Sequence, residues 1–481
     1  MPALLGALAC SPQAPAAAPP APAAAAPAPN RSGLPQPGPR SEWAPPAPAA
    51  WQLKSGNRVL YLHQGEVPLV SIVLVFPRGA ETDPVERAGL TQLTADLLDE
   101  GAGGKTALEL SDELKRLATD YRALATTDSL VLSMDLIADN FAESVKLLAD
   151  IVRRPKLDRA EFARRKAQAV AQALAAESEP GSGRRVALQR ALFGKGYAGQ
   201  IATGTRRTLE AIAYEDVAKH YQRLVVADGA QFAVTGGIDR TTVERELESA
   251  FGDWGGKAGV QARALSPEPT TPAIYFVNYP GAAQSSLGVA RRAPGIDAED
   301  YFPAAIFNRG FGESFVSRVN MNLREDKGYT YGSFSTFARF KKAGLFGIFA
   351  EVKTDKTRAS IDEIVGELGA VCSARPVSAA ERDDSVNGLL LGYPARFESS
   401  GLAARALSDI IREERPLDWF EQWPKRVEGV TVEAANAAAQ RYCDAKSFSI
   451  AVAGDRATVA PTLESLGLKV VYLDAQGDPA P

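Results

Sequence analysis

Histidine is nearly absent from this sequence, and cysteine is scarce. Among 481 residues there are two histidines, His63 and His220, which lie far apart along the chain. A Ser–His–Asp relay needs an imidazole beside a nucleophile, and a histidine-rich metal site needs several imidazoles together, so neither is apparent. The three cysteines, Cys10, Cys372 and Cys443, are too few for a disulfide framework. One disulfide is possible, and the spacing does not decide which pair would form it.

Long apolar runs and a strong excess of one charge are missing too. No run approaches the roughly 20 apolar residues of a membrane span. The formal net charge is -4 and the basic residues are scattered, so there is no electrostatic footprint for nucleic acid. We find no phosphate loop, nucleophile elbow or dinucleotide fingerprint, which leaves an independent enzyme with unrelated catalytic residues little support. The length of the chain predicts at least two domains.

The first fifty residues have an unusual composition. Residues 1–10, MPALLGALAC, are mostly small and apolar, end in Cys10 and resemble the end of a bacterial lipoprotein signal. This pattern predicts cleavage between Ala9 and Cys10, a lipid on Cys10 and a location in the bacterial cell envelope, in the periplasm. The alternative is an ordinary cytosolic N-terminus. Residues 11–50 are about two thirds proline and alanine and predict a semi-rigid tether, as expected after a lipid anchor.

The rest of the chain contains an internal repeat. Apolar patterns predict these elements in the first half: strands at 58–62, 71–76, 129–136 and 231–237, and helices at 107–118, 141–154 and 161–178. Three strand patterns recur in the second half. IYFV (274–277) and SSLGVA (285–290) begin 215 residues after VLYL and VSIVLV, and IAVAGD (450–455) begins 218 residues after FAVTGG. A duplicated α+β domain is the economical interpretation.

A segment rich in glycine and proline separates the two halves, with little apolar content. Its position divides the chain into two domains of similar length. We predict the following organisation: a lipoprotein signal remnant at 1–10, the tether at 11–50, a first domain at 51–254, a linker at 255–272, a second domain at 273–470 and a tail at 471–481.

Three stretches of the chain resemble the pitrilysin/insulinase family of zinc metallopeptidases, the inverzincins. They are GAETDPVERAGLTQLTADLLDEG (79–101), FGKGYAGQIATGTRRTLEAIAYEDVAKHYQRL (193–224) and FGESFVSRVNMNLREDKGYTYG (311–332). The resemblance covers roughly residues 51–470. It implies an α+β fold of two homologous domains, each a mostly antiparallel sheet with helices packed on it, which form half of a clamshell.

The first of these stretches covers the family's zinc site. Gln92, Ala95 and Asp96 lie at i, i+3 and i+4 and would share a helical face, as His-x-x-Glu-His does in the family. A further zinc-binding glutamate of the family matches Ala173, give or take a residue. An amide is a poor zinc ligand and the general-base carboxylate is absent. The resemblance therefore implies a degenerate site without a metal.

Acidic residues near the end of the same helix leave another metal site open. Asp96, Asp99 and Glu100 are close in sequence, and His63 lies on a nearby strand, so together they could replace the zinc ligands. The ordinary interpretation is a solvated acidic helix end with Gly101 as its C-cap.

The second half retains the family's other functional motif. In NLREDKGYTYG (322–332), Arg324 and Tyr331 match by spacing the family's Arg/Tyr pair, and Tyr329 is the competing candidate for the tyrosine. The resemblance implies that the guanidinium holds a substrate carbonyl or carboxylate and that the phenol donates a hydrogen bond to the oxyanion. The alternative is structural: Arg324 would pair with the two acidic residues that follow it, and the tyrosines would be ordinary strand residues.

A short glycine-containing segment precedes this motif. Organellar relatives use a flexible glycine-rich loop to handle substrate, but RGFGES (309–314) has too few glycines for that role. Gly310 and Gly312 instead predict a tight turn before a helix.

Heterodimeric members of the family divide the zinc motif and the Arg/Tyr pair between two chains. The resemblance therefore implies a non-catalytic subunit of a two-chain peptidase, which holds no cofactor itself and whose homologous partner carries the zinc. Peptides would be the substrate, nucleic acid would not be a partner, and the membrane would be contacted only through the lipid on Cys10. The rival hypothesis is a peptidase-like binding or structural protein of the cell envelope.

Overall fold

Two six-stranded sheets, one in each half of the chain, form the frame of the structure. The computed structural model describes residues 43–268 and 271–480. The strands of the first sheet are β1 Ala49–Gln52, β2 Arg58–His63, β3 Leu69–Phe76, β4 Asp120–Ala125, β5 Leu130–Ile137 and β6 Gln231–Gly236. Those of the second are β7 Ile274–Asn278, β8 Gln284–Ala293, β9 Thr330–Arg339, β10 Gly344–Lys353, β11 Ser449–Gly454 and β12 Val470–Leu473. The spatial orders are β1-β2-β6-β3-β5-β4 and β12-β7-β11-β8-β10-β9.

Helices connect the strands and cover the sheets. They are α1 Leu90–Ala95, α2 Ala107–Arg116, α3 Phe141–Arg153, α4 Arg159–Glu177, α5 Pro180–Phe193, α6 Arg206–Glu210, α7 Tyr214–Leu224, α8 Arg240–Phe251, α9 Tyr301–Asn308, α10 Arg318–Asn320, α11 Thr357–Val371, α12 Ala379–Gly392, α13 Ser400–Arg412, α14 Trp419–Glu428, α15 Val432–Tyr442 and α16 Arg456–Leu463. Two π-helical turns, Arg309–Glu313 and Met321–Asp326, continue α9 and α10. Short 3₁₀ turns lie at Ala80–Thr82, Val85–Arg87, Ala138–Asn140, Thr354–Lys356, Tyr393–Phe397, Ala445–Ser447 and Glu464–Leu466.

The repeat predicted from the sequence is present in the strand pairing. β2 pairs in parallel with β6 as β7 does with β11, and β3 pairs antiparallel with β6 as β8 does with β11. These strands carry the 215- and 218-residue repeats. The predicted α+β fold of two homologous, mostly antiparallel domains is confirmed. β1 begins at Ala49 and β12 continues to Leu473, because pairing with β2 and β7 satisfies their backbone groups.

Each half of the chain covers one face of the other half's sheet with a helix. In the first sheet, Val73 of β3 packs in one cluster with Leu407 of α13, which belongs to the second half. In the second sheet, Phe349 of β10 packs with Leu192 of α5, which belongs to the first half. Both faces of β3 are buried, which explains its continuous rather than alternating apolar sequence. This exchange of α13 and α5 between the halves joins their hydrophobic cores.

The sequence analysis did not predict α5. The segment EPGSG (179–183) stops α4 as expected, but it also forms the start of another helix. Pro180 stands at the first helical position, where its missing N–H leaves no intrahelical bond unmade. Gly183 lets the helix approach β7 closely, since a Cβ there would collide with the hydroxyl of Tyr279.

A disulfide joins Cys372 and Cys443, with their Cα atoms 6.1 Å apart. Each cysteine directly follows a helix, α11 and α15 respectively, so the packing of two helix ends settles the pairing that spacing left open.

Cys10 lies outside the described residues. No helix in the part of the chain that the structure describes is long and apolar enough to cross a membrane.

Candidate functional site: a degenerate zinc cavity and an exposed Arg–Tyr pair

The side chain of Gln92 joins α1 to the edge strand β4. Its Nε2 donates to Asp96 Oδ1 at 2.7 Å and to the carbonyl of Ala123 at 3.3 Å, and its Oε1 accepts from Ala125 N at 2.8 Å. Asp96 directly follows the helix. Ala95 is fully buried in the core of the first half and does not face the space beside Gln92 and Asp96. Ala95, at the position of the family's general base, therefore packs in the core instead of facing the cavity.

Gln92, Asp96 and Ala173 line one cavity of about 200 Å³. Ala475 and Gln476 from the second half complete its wall, and the backbone N–H of Arg207 holds Gln476 Oε1 at 2.9 Å. The structure thus brings Gln92, Asp96 and Ala173 together, but not Ala95.

The chemistry of this cavity does not suit zinc. It has no imidazole, and the amide of Gln92 is already bonded on both sides. Burial raises the pKa of Asp96, and this carboxylate already accepts a hydrogen bond from Gln92 Nε2. The other carboxylate of the lining, Glu177, pairs with Arg206 at 3.1 Å. The residues at the predicted zinc positions are therefore not suited to hold a metal ion that would activate water.

The acidic residues after α1 are buried or half-buried and have bonding partners, so the prediction of a solvated helix end is wrong. Glu100 is 7% exposed and lies 2.5 Å from Arg164 Nη2. Burial raises the pKa of Asp99 to about 6. Gly101 has a positive φ of 101°, but α1 ends at Ala95, so Gly101 is not its C-cap.

His63 does not join these carboxylates. Its Nδ1 lies 3.4 Å from the hydroxyl of Tyr61 and 3.2 Å from the carbonyl of Ile238. Across residues 43–268 and 271–480, no group of three or more His, Cys, Asp and Glu side chains is arranged to hold a metal ion.

The other histidine belongs to a buried network that sequence reasoning missed. Thr91 Oγ1 donates to Asp83 Oδ1 at 2.6 Å and lies 2.9 Å from His220 Nε2. Burial raises the pKa of Asp83 to about 7 and lowers that of His220 to about 4. Thr91 is fully buried and its hydroxyl bonds the carboxylate directly, so the trio is not a nucleophilic relay. It fixes the start of α1 against α7.

Tyr331 and Arg324 are both accessible. Tyr331 is 90% exposed and makes no hydrogen bond to a residue that the structure describes. Tyr329 is half-buried and packs against the core of the second half, so Tyr331 is the more accessible of the two candidates. Arg324 is 36% exposed at its side chain, and its Nε lies 3.1 Å from Glu325. This ion pair matches the structural alternative, but exposed pairs contribute at most about 1 kcal/mol and leave the guanidinium available.

A β-bulge turns Tyr331 outward. Ala350 of β10 faces Ser333 of β9 and Val352 faces Thr330, so two residues of β9 oppose the single residue Glu351. An extra residue in one strand breaks the alternation of side chains and changes the direction of those at the bulge. The sequence pattern contains no sign of this bulge.

Asn320 connects the segment that supports Arg324 with the strand that carries Tyr331. Its Nδ2 donates to the carbonyl of Phe315 at 2.6 Å, and its Oδ1 accepts from Ser333 N at 3.0 Å. The side chain is 3% exposed. Both bonds are to backbone atoms, so the identity of the neighbouring side chains gives no hint of this role.

The segment 309–313 is π-helical, so the predicted tight turn is wrong. Gly310 and Gly312 continue α9 without positive φ angles. Gly312 is needed for close packing, because a Cβ there would collide with Ser335 of β9. A helix that packs on a strand replaces the turn.

Comparisons with known proteins show which family this chain resembles. A family model described as insulinase (peptidase family M16) matches residues 58–206, and one described as peptidase M16 inactive domain matches residues 211–389. An uncharacterized zinc protease of Streptomyces coelicolor is 21% identical to this chain where the two match. The match covers 54% of this chain and 58% of that relative's length. A Helicobacter pylori protein named non-peptidase homolog YmxG is 19% identical over 83% of this chain and 92% of its own length.

A solved structure shows the same fold. The crystal structure of a peptidase M16 inactive domain from Pseudomonas fluorescens has a TM-score of 0.78 and 22% identity, and covers 85% of this chain and 98% of its own. Together, the two family models cover most of both halves, and the zinc-binding residues of the active members are replaced here. The chain belongs to the pitrilysin/insulinase family, peptidase family M16, as one of its inactive, peptidase-like members.

Proposed function

We propose that this chain is the non-catalytic subunit of a heterodimeric zinc peptidase that hydrolyses peptides. The observation that carries the proposal is an asymmetry between the halves. The cavity of the first half lacks zinc ligands and a base, whereas Arg324 and Tyr331 in the second half are exposed to solvent. A purely structural chain has no need to keep both a phenol 90% exposed and a guanidinium accessible in this motif.

The partner is a homologous subunit with an intact zinc motif, and zinc there supplies an activated water. This chain itself holds no cofactor. Arg324 binds a carbonyl or carboxylate of the peptide through its fixed donors. The hydroxyl of Tyr331 donates a hydrogen bond to the oxyanion that forms at the attacked carbonyl.

The location that fits this role is the bacterial cell envelope, on its periplasmic side, with a lipid on Cys10. The Cys372–Cys443 disulfide supports an oxidising compartment, since such bonds are rare in the cytosol. Mass spectrometry of the purified native chain tests the anchor. A diacylglycerol-sized mass addition on a chain that begins at Cys10 is expected, and an unmodified Cys10 overturns it.

A second function is a peptide-binding or structural role without catalysis. The printed name of the Helicobacter pylori relative, non-peptidase homolog, favours it.

Cleavage of a quenched fluorescent peptide mixture separates the two functions. The chain is assayed alone, mixed with its zinc-motif homologue, and mixed with that homologue plus a chelator. Hydrolysis only in the mixture, abolished by the chelator, is the result expected for the shared peptidase. Activity no greater than that of the homologue alone contradicts it and favours the binding or structural role.

A further inference from the structure

A second cavity lies in the second half, next to the Arg324 segment. Its volume is about 410 Å³, and the helical turn that carries Arg324 supplies Met321 and Asp326 to its wall. Val316 adds an apolar surface and directly follows Phe315, on which Arg324 rests. Val316 is 75% exposed and Met321 36% exposed. Val316 and Met321 thus give this cavity a small apolar surface that is open to water.

The positive charges of this cavity are already paired. Its three arginines each have a carboxylate partner. The pairs and distances are Arg318–Glu381 at 2.6 Å, Arg375–Glu367 at 2.6 Å and Arg309–Glu313 at 3.6 Å.

Two carboxylates of the cavity remain without such partners. Asp326 and Asp384 are exposed, and neither carboxylate has a hydrogen bond or ion pair to a side chain in the described parts of the chain. The lysine next to Asp326, Lys327, is paired with Glu363 at 2.8 Å. The cavity therefore combines an apolar surface with two exposed carboxylates that stand outside these ion pairs.

An arginine or lysine side chain has the matching shape, because its methylene stem covers apolar surface while its cationic head remains near water and carboxylates. We propose that this cavity binds a long basic side chain of the peptide that Arg324 and Tyr331 handle, and that it selects substrates with such a residue. That the ligand is a substrate rests on the proposed function; the binding itself does not.

Fluorescence anisotropy with this chain alone tests the binding. The probe is a fluorescein-labelled, C-terminally amidated Ala-Ala-Arg-Ala-Ala peptide, and its control contains citrulline, which has the shape of arginine without the charge. The arginine peptide is expected to bind about fivefold or more tightly than the citrulline peptide, and less so at high salt. Equal affinities, or no measurable binding of either peptide, overturn the proposal.

Variants locate the binding. Asp326→Asn and Asp384→Asn should each weaken the arginine peptide about two- to fivefold, as expected for partly exposed ion pairs, and should leave the citrulline peptide unchanged. Val316→Ser should weaken both peptides. Asp139→Asn removes another exposed carboxylate, in the first half, and should change neither. An equal loss in Asp139→Asn would show nonspecific attraction and contradict the assignment.

The assay needs no zinc-bearing partner, so its outcome is independent of the peptidase test. Binding without hydrolysis in the mixture would reject the shared peptidase and keep the cavity. Hydrolysis by the mixture with no preference for the arginine peptide would keep the shared peptidase and reject selection by this cavity.

Discussion

The guanidinium carbon of Arg324 lies 4.5 Å from the centre of the Phe315 ring. Asn320 holds the carbonyl of Phe315 and the backbone N–H of Ser333 with the same carboxamide. The arginine and the strand of Tyr331 are therefore connected through one buried side chain. This arrangement holds Arg324 and the strand of Tyr331 in place while both side chains remain accessible.

Removing the phenol tests the oxyanion role. In the complex with the zinc-bearing homologue, Tyr331→Phe is expected to lower kcat about 10²- to 10³-fold with little change in KM, because a lost oxyanion donor acts in the transition state. Steady-state kinetics on a quenched peptide measures both constants. Tyr329→Phe is the matched control and should retain kcat; an unchanged kcat in Tyr331→Phe rejects the role.

Replacing the aromatic support of Arg324 should affect substrate binding. Phe315→Leu keeps apolar bulk but removes the ring face, so KM is expected to rise about two- to fivefold, in line with an exposed cation–π contact. Phe334→Leu serves as the comparison, since Phe334 is 53% exposed and stacks on Phe349 rather than on Arg324. Equal increases in KM for both variants would indicate a general loss of apolar surface instead.

The degenerate cavity should accept zinc again when its ligands are restored. Gln92→His, Asp96→His and Ala173→Glu combined place two imidazoles and a carboxylate around one space, and a zinc ion is expected to bind reversibly. Titration against a metallochromic dye detects it, with the unsubstituted chain and the double histidine variant as controls. Because Ala95 remains in the core, hydrolysis should not return. A folded triple variant without zinc affinity would show that the cavity has changed shape.

The buried carboxyl of Asp83 should make stability depend on pH. Its pKa is raised from 3.8 to about 7 by burial, so the folded chain keeps a proton that the unfolded chain loses. This contribution is complete below pH 4 and disappears as the pH rises through 7, by at most about 1.4 kcal/mol per pH unit. His220, with its lowered pKa, acts in the opposite direction and loses its contribution as the pH falls from 6.5 towards 4.

Urea unfolding of the unsubstituted chain and Asp83→Asn at pH 5 and pH 8 isolates this group. The asparagine cannot ionise, so the fall in the free energy of unfolding between the two pH values should be smaller in the variant. The same fall in both proteins would mean that Asp83 does not hold the proton.

The exchanged helix α13 should contribute to the stability of the first half. Leu407 is fully buried against the first sheet, and Leu407→Ala is expected to lower the free energy of unfolding by about 2–5 kcal/mol. Leu402 lies on the same helix and is 43% exposed, so Leu402→Ala should cost much less. Chemical denaturation measures both, and similar losses would argue against packing across the halves.

Much of the fold was predictable because it follows from local patterns. The strands 58–62, 71–76 and 129–136 and the helices 107–118, 141–154 and 161–178 appear close to their predicted bounds, since alternating and helical spacings of apolar residues specify which face must be buried. The 215-residue repeat likewise predicted two similar sheets. The absence of histidine and glutamate from the zinc motif was evident from residue identity alone.

Other features depend on contacts between distant parts of the chain. The exchange of α5 and α13, the pairing of Cys372 with Cys443 and the burial of Glu100 arise from packing, which no local spacing encodes. Residue types and their order by themselves determined the duplicated α+β fold and the loss of the zinc ligands. Only the tertiary structure decided that Ala95 is core and that Tyr331 is open to solvent, because a bulge and the fit of buried surfaces set the direction of each side chain.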